Sequence, residues 1–545
     1  MVELSVEQAA GLRRVRDERG SNFFITGDAG HGKSVLATAI IEELRGRKDA
    51  VVHIAAFMGI AAAEVGGTTL NRFAWIAPGF EKEPLDIIQA KANEMADYKV
   101  FMYRKLREKL EQATHLLIDE ISTVHPDMMT LLHIYISTIR EWRYGHLPFG
   151  GLQVIVCGDF HQIPPVVKNS PWNIKEGQTF RDVDTLSKKE KEEQERFMRD
   201  VKLFAFQSDI WPRLQFKWIN LTQNFRQEND TSFYNLLAHA RRGQLTPAMI
   251  ATLQERTRVP KPDLYNTDIN AVPVLAIYPH NTNVDATNYK RLHSLPGEIH
   301  TFKTVDECRD PKNQKLLNDL RVAAKIELKI GCQVMLFANL PLYGDDAILA
   351  NGAMGKVTGF GHVSEGGYPH VLFAATKHRP AVTRYMKPHE WPLRETASGP
   401  VVASRTQVPL ALAYAITAHK SQGQTITCPV IMDLGAAFGP GMAYVMLSRV
   451  RSLDQVFLTS FKPSAIITHP AVSAFYATHE TPLVNTDVVF QAPQIPQLSP
   501  ANVDDDDDDG SSPKRQREDR EDEEEKRPHK KQRPLMDDED DVFNF

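Results

Sequence analysis

Short apolar runs alternate with charged, helix-length stretches along residues 1–500. Most of the runs at 23–26, 51–55, 115–118, 153–157, 217–220, 274–278, 333–337, 429–433 and 456–459 are rich in Val, Ile, Leu or Phe. They are short and continuous rather than alternating with polar positions, which is how strands buried on both faces of a parallel sheet read. Helical stretches fall between several of them, so repeated βα units and an α/β fold are expected. Three regions break the rhythm. Residues 81–111 are helical and charged, and residues 168–202 are polar enough to be a surface insertion. Residues 350–404 are rich in Gly, Pro and His, with β-like pieces at 355–360, 370–374 and 400–403. That pattern predicts a small β subdomain inserted in a larger fold.

Composition narrows the class. The 545 residues are 42% hydrophobic and 24% charged, enough to bury several cores. Cys157, Cys308, Cys332 and Cys428 are scattered without a CxxC pair, which excludes a disulfide scaffold and a Cys-based zinc module. No run of about 18 apolar residues occurs, so no membrane span is expected. Residues 1–20 are charged and lack the apolar core of a signal peptide. The net charge of -5 conceals a split. Residues 504–545 hold 18 acidic and nine basic side chains, leaving 55 Lys/Arg against 51 Asp/Glu elsewhere. A mildly basic body permits a polyanionic partner without demanding one.

The chemistry concentrates at the ends of predicted strands. Gly27, Asp28, Ala29, Gly30, His31, Gly32, Lys33 and Ser34 match GxxxxGK[ST] between a strand at 23–26 and a helix at 34–44. Glycines let backbone N–H groups curl around phosphates, and the helix N-terminus adds favourable partial charge. Lys33 is expected to reach the β- and γ-phosphates of ATP, and Ser34 to bind Mg²⁺. The strand at 115–118 ends in Asp119 and Glu120. Beside a phosphate loop, Asp119 is expected to hold the Mg²⁺ shell and Glu120 to polarise the attacking water. Together these predict nucleoside-triphosphate hydrolysis without saying to what end. Gly158, Asp159 and Gln162 follow another apolar strand. The residues alone leave Gln162 open between a γ-phosphate sensor and a member of a loop stiffened by Pro164 and Pro165.

The order of these motifs resembles the Pif family of DNA helicases, superfamily 1B relatives of bacterial RecD. The likeness runs from residue 3 to about residue 462. Leu4 to Gln8 resembles the N-terminal motif whose glutamine reads adenine. Pro148 to Gly151, Gly158, Asp159 and Gln162 to Val166 resemble the third motif. Leu221 to Gln227 with Phe233 resembles the fourth, whose arginine, here Arg226, completes the ATP site. Residues 281–292, Gly331 to Leu336 and Asn351, Gly352 and Gly355 resemble segments of the second core domain. Ala415 to Gly423 and Tyr444 to Arg451 resemble the last two motifs. The chain departs from the pattern between Ile54 and Phe73, where several hydroxyls and a histidine are replaced, while Gly59 and Thr69 remain.

The resemblance implies two RecA-like P-loop domains with parallel sheets: residues 1–215, with a wedge at about 81–111, and residues 216–470, with a β-barrel-like insertion at about 350–404. A linker at 471–503 and a tail at 504–545 follow. It implies an ATP- and Mg²⁺-dependent helicase that moves 5′ to 3′ on single-stranded DNA and opens forked DNA in replication, recombination or repair. Gln8, the phosphate loop and Gly423 would bind nucleotide. Lys33, Glu120, Gln162, Arg226 and Arg449 would act in hydrolysis. Gly59, Thr69, Thr417, His419, Lys420, Ser421 and Gln422 would meet DNA. For Arg226 and Arg449 taken as residues, a surface salt bridge is the alternative to a finger on the γ-phosphate. For Phe73, Trp75, Tyr98, Phe101 and Tyr103, core packing is the alternative to base stacking. A DNA-stimulated ATPase that remodels protein–DNA complexes without unwinding, and a nucleotide switch, are the other functions open to this sequence. Glu120 speaks against the switch, which has no need of a hydrolytic carboxylate.

The tail holds six aspartates, Asp504 to Asp509, and too few apolar residues to offset chain entropy, so disorder is expected. Its basic clusters, Lys514 to Arg517 and Lys526 to Arg533, resemble a two-part nuclear-import signal. Nuclear localisation through an import receptor is therefore expected, with cytoplasm as the alternative. The acidic run Asp537 to Asp541, followed by Phe543 and Phe545, suits a DNA-handling partner protein.

Overall fold

A computed structural model describes residues 4–57, 65, 67–77, 79–165, 201–262, 274–308, 322–338, 340–341, 348–349, 353–362, 364, 366–373, 381–394, 401–426, 428–477 and 479. Gly59, the polar stretch 168–200 and the charged tail lie outside them.

Six parallel strands make the first sheet: β1 (Phe23–Gly27), β2 (Val52–Ala56), β3 (Thr68–Thr69), β4 (His115–Asp119), β5 (Gln153–Cys157) and β6 (Lys217–Leu221), in the order β3-β2-β4-β5-β1-β6. The apolar runs are continuous because both faces are covered. Phe24, Leu116, Ile118, Val154 and Val156 face the core containing the helix Pro126–Ile139. Phe23, Ile25, Leu117, Ile155 and Cys157 face the core built with the helix Lys33–Arg45. Parallel pairing puts the C-terminal ends of β1, β5 and β4 side by side, the edge at which α/β sheets bind ligands.

The second sheet is also parallel, in the order Ala415–Thr417, Leu275–Tyr278, Val430–Asp433, Val456–Ser460. The helices Thr231–Arg241, Pro247–Arg258 and Met442–Leu447 supply its core. Antiparallel strands between His300 and Leu412 form separate smaller sheets. The run expected at 333–337 pairs there, as Gln333–Leu336 against Met354–Phe360 and Leu410–Leu412.

Two boundaries differ from expectation. Residues Lys217–Leu221 belong to the first sheet, paired with β1, so the first domain does not end at 215. The stretch from 471 is not linker at its start. The helix Pro470–Tyr476 buries Val472 and Tyr476 in the first domain's core, where Phe475 stacks on Phe206 with ring centroids 4.2 Å apart. Aromatic rings in the sequence around 470–476 carried that burial, and the reading by strand and motif passed over it.

Residues 81–111 are helical as expected, with helices Leu85–Ala96 and Arg104–Gln112. The aromatic candidates in and just before this region divide by position. Phe73 and Tyr103 are buried, whereas Tyr98 and Phe101 are 68% and 75% exposed.

Candidate nucleotide and strand site between two sheets

β1 runs out at Gly27 and the chain turns into the helix Lys33–Arg45, whose N-cap is Gly32. Gly30 and Gly32 have φ of 93° and 75°, in the left-handed region glycine tolerates. A Cβ on Gly32 would lie 2.3 Å from Gln8 Nε2, and one on Gly30 would lie 2.7 Å from Arg226 Cβ. The left-handed backbone favours glycine at both, and close approach to Arg226 Cβ adds to it at Gly30. Lys33 Nζ donates to the carbonyls of Gly27 (2.7 Å) and Asp28 (2.9 Å), which holds the ammonium over its own loop. Ser34 is exposed on the first turn of the helix.

Neighbouring elements clamp this loop. Gln8 closes a capping box with Ser5 and donates from Nε2 to the Gly32 carbonyl (3.1 Å). His31 Nδ1 lies 2.7 Å from the Leu221 carbonyl oxygen. The Asp28 backbone nitrogen lies 3.2 Å from the same Nδ1, and the Tyr234 hydroxyl lies 3.3 Å from Nε2. Burial lowers the His31 pKa and favours the neutral ring. The Ala29 N–H donates to the Tyr444 hydroxyl of the second domain (2.9 Å).

Asp119 is buried at the end of β4, and its Oδ1 accepts the Glu120 N–H (2.9 Å). Glu120 has φ 50° and ψ 49°, a left-handed conformation that costs a residue with a Cβ roughly 1–3 kcal/mol and clusters at functional sites. Its Oε2 accepts from Gln422 Nε2 (3.0 Å), which also reaches Ser122 Oγ (3.0 Å). Beside this strand end, burial and then Asp119 push the Cys157 thiol well up, so it stays protonated.

The loop after β5 lies against the second domain. Gln162 is buried, with an Oε1 that has no hydrogen-bond partner in the protein. A Cβ on Gly441, whose φ is 72°, would lie 2.4 Å from the His161 carbonyl oxygen. Arg226 and Arg449 converge on Ser448. Arg226 donates to its carbonyl (2.6 Å) and Arg449 to its hydroxyl (2.7 Å). Arg449 is 1% exposed and also donates to the Ser421 and Gln424 carbonyls, which flank Gly423 (φ 81°).

Sequence reasoning missed Arg241. It sits at the end of the helix Thr231–Arg241, yet pairs across the cleft with Asp159 (2.9 Å) and with Asp28 of the phosphate loop (3.2 Å). Burial would raise the Asp159 pKa, but Arg241, with His161 and Lys33, holds it down at about 2. The signal was periodicity: Phe233, Leu237 and Arg241 recur every four residues, which places a charge on the buried face. Tyr444 and Tyr476 were also passed over. Tyr476 shares a hydrogen bond with Thr26 Oγ1 (2.9 Å) and lies 5.2 Å below the Arg241 guanidinium.

The segment expected to meet DNA has a mixed character. Thr417 caps the helix Ala418–Ser421 by accepting the Lys420 N–H (3.3 Å), and Ser421 Oγ donates to the Ala418 carbonyl (2.8 Å). Both side chains are buried. His419 and Lys420 are half-buried, with Lys420 Nζ 4.6 Å from the Phe337 ring centroid. Gln422 turns inward to Glu120. Thr69 caps the helix Leu70–Ala74.

A phosphate loop and a strand-end carboxylate pair on one parallel sheet, faced by Tyr444 and Gln422 of a second parallel-sheeted domain, define a P-loop nucleotide-binding protein with two RecA-like domains. The family described as PIF1-like helicase matches residues 3–181. The chain is 34% identical over 478 residues to the human ATP-dependent DNA helicase PIF1, covering 87% of this chain and 64% of that protein. It thus spans less than two thirds of the curated relatives it matches first. Candida albicans Pif1 has a crystal structure with TM-score 0.70 and 29% identity, covering 88% of this chain and all of that one. Bacteroides Pif1 in complex with ADP-AlF3 and ssDNA has TM-score 0.65 and 26% identity, covering 88% and 98%. This chain is similar to the PIF1-like helicases.

Proposed function

We propose that the chain is an ATP-dependent DNA helicase that moves 5′ to 3′ on single-stranded DNA and opens forked duplexes. One observation carries the reading: the phosphate loop and the Glu120 carboxylate of the first domain meet Tyr444 and Gln422 of the second, and Arg226, just beyond β6, reaches Ser448 beside Arg449. A hydrolytic site shared between two domains turns each hydrolysis event into a change in their separation.

The residues have separate tasks. Lys33 offers a positive partner to the β- and γ-phosphates, and the glycine-rich loop lends its N–H groups. Gln8 stands beside the loop for the base. Ser34 and Asp119 offer a hydroxyl and a carboxylate, the hard oxygen donors that suit Mg²⁺ bound with substrate phosphates. The ion, when bound, neutralises phosphate charge. Glu120 orients the attacking water and takes its proton. Gln162 senses the γ-phosphate, and Arg226 and Arg449 stabilise the charge that develops on it. His419 and Lys420 face the phosphates of the strand.

The alternative is a DNA-stimulated translocase that remodels protein–DNA complexes without separating strands. The altered stretch from Ile54 to Phe73 favours it, because fewer hydroxyls are left to grip DNA. ATP hydrolysis measured with and without single-stranded DNA tests the shared core of both. Strong stimulation is expected, and a rate indifferent to DNA would overturn the reading. The basic clusters of residues 504–545 support a nuclear address and an import receptor as partner, and the terminal acidic run with Phe543 and Phe545 supports a DNA-handling protein.

A further inference from the structure

We propose that Gln422 is a positioning residue that restrains the hydrolytic carboxylate Glu120 until the strand-binding segment shifts it. The proposal rests on the function proposed above.

Gln422 is 8% exposed and directly follows the helix Ala418–Ser421, so the turn that carries His419 and Lys420 also carries this amide. Its Nε2 lies 3.0 Å from both Glu120 Oε2 and Ser122 Oγ. The amide orientation follows from chemistry. An ionised carboxylate only accepts, so the NH₂ end must face Glu120.

The bond to Gln422 fixes the direction of the Glu120 carboxylate and occupies Oε2, an acceptor that an attacking water would otherwise use. Meanwhile the Gln422 Oε1 is buried with no partner in the protein. Such a group costs roughly 1–3 kcal/mol, so this placement is poised to exchange for one in which the oxygen is satisfied. A strand drawing on His419 and Lys420 moves the turn, withdraws the amide and frees Glu120. Hydrolysis is thereby held low when no strand is bound.

The test is steady-state ATPase of the full chain, without DNA and with saturating single-stranded DNA, for wild type, Gln422→Leu and Ser122→Ala. Gln422→Leu should raise the DNA-free kcat about fivefold, the worth of one hydrogen bond. The KM for ATP should stay unchanged and the ratio of stimulated to basal rate should shrink. Ser122→Ala, which removes the amide's second anchor, should act in the same direction but more weakly. A purely structural role would lower both rates together. A DNA-free kcat at or below wild type in variants that keep the wild-type melting temperature would overturn the proposal. Should Gln422→Leu fail to fold, Ser122→Ala decides by the same criterion. A wild type that shows no stimulation by DNA would defeat the nucleic-acid reading, whereas the DNA-free comparison would still decide whether Gln422 restrains Glu120.

Discussion

Lys33 rests its ammonium on two carbonyls of its own loop, a position that substrate phosphates would better satisfy. Lys33→Ala should abolish hydrolysis, read as phosphate release. Glu120→Gln should keep nucleotide binding yet stop turnover, because a neutral amide cannot take the water's proton; hydrolysis near the wild-type rate would show the carboxylate to be misassigned. Arg226→Ala should leave nucleotide affinity nearly intact and cut turnover by about a thousandfold, the scale of an arginine finger. Normal hydrolysis by that variant with single-stranded DNA present would place the site elsewhere. These residues were legible because phosphate and metal chemistry demands particular residue types at fixed spacing. Gln422 was legible only as one member of a polar segment. Its inward turn depends on how Ala418–Ser421 packs under the cleft, which no local pattern encodes.

At the scale of elements, eight of the nine apolar runs became strands of the two parallel sheets, because burial on both faces leaves a mark in most of them; the edge strand Lys217–Leu221 is exposed at Lys217 and Asn220. The ninth, Gln333–Leu336, is equally apolar yet antiparallel, since a short continuous run does not state its partner's direction. The domain boundary at 215 failed for a related reason: β6 follows a long excursion and returns to the edge of the first sheet beside β1. The Arg241–Asp159 pair joins the helix Thr231–Arg241 to the loop after β5, and both side chains are buried. Removing one partner of such a pair costs about 3–5 kcal/mol. Arg241→Met should lower stability to denaturant by that order, with Asp159→Asn restoring part of it in the double variant. The pH sign follows from the depressed Asp159 pKa. Its contribution is complete above about pH 4 and is lost as pH falls towards about 2. Arg241→Met should lack that loss between pH 4 and 2, and an unchanged acid limb in urea titrations would refute the pairing's role.

For the whole molecule, a mildly basic body with two parallel sheets carries a charged tail, and the proposed division of work is between motor and address. Removing residues 504–545 should leave ATPase and unwinding intact and shift the protein from nucleus to cytoplasm, followed by fluorescence of a tagged chain. Retained nuclear concentration, or lost ATPase, would contradict that division. The central claim is strand separation powered at the cleft, and unwinding of tailed duplexes tests it most directly. Wild-type protein with ATP should separate a duplex bearing a 5′ single-stranded tail and leave its 3′-tailed counterpart paired, while Lys33→Ala separates neither. DNA-stimulated hydrolysis without separation of either duplex would contradict the helicase assignment and leave the translocase in its place.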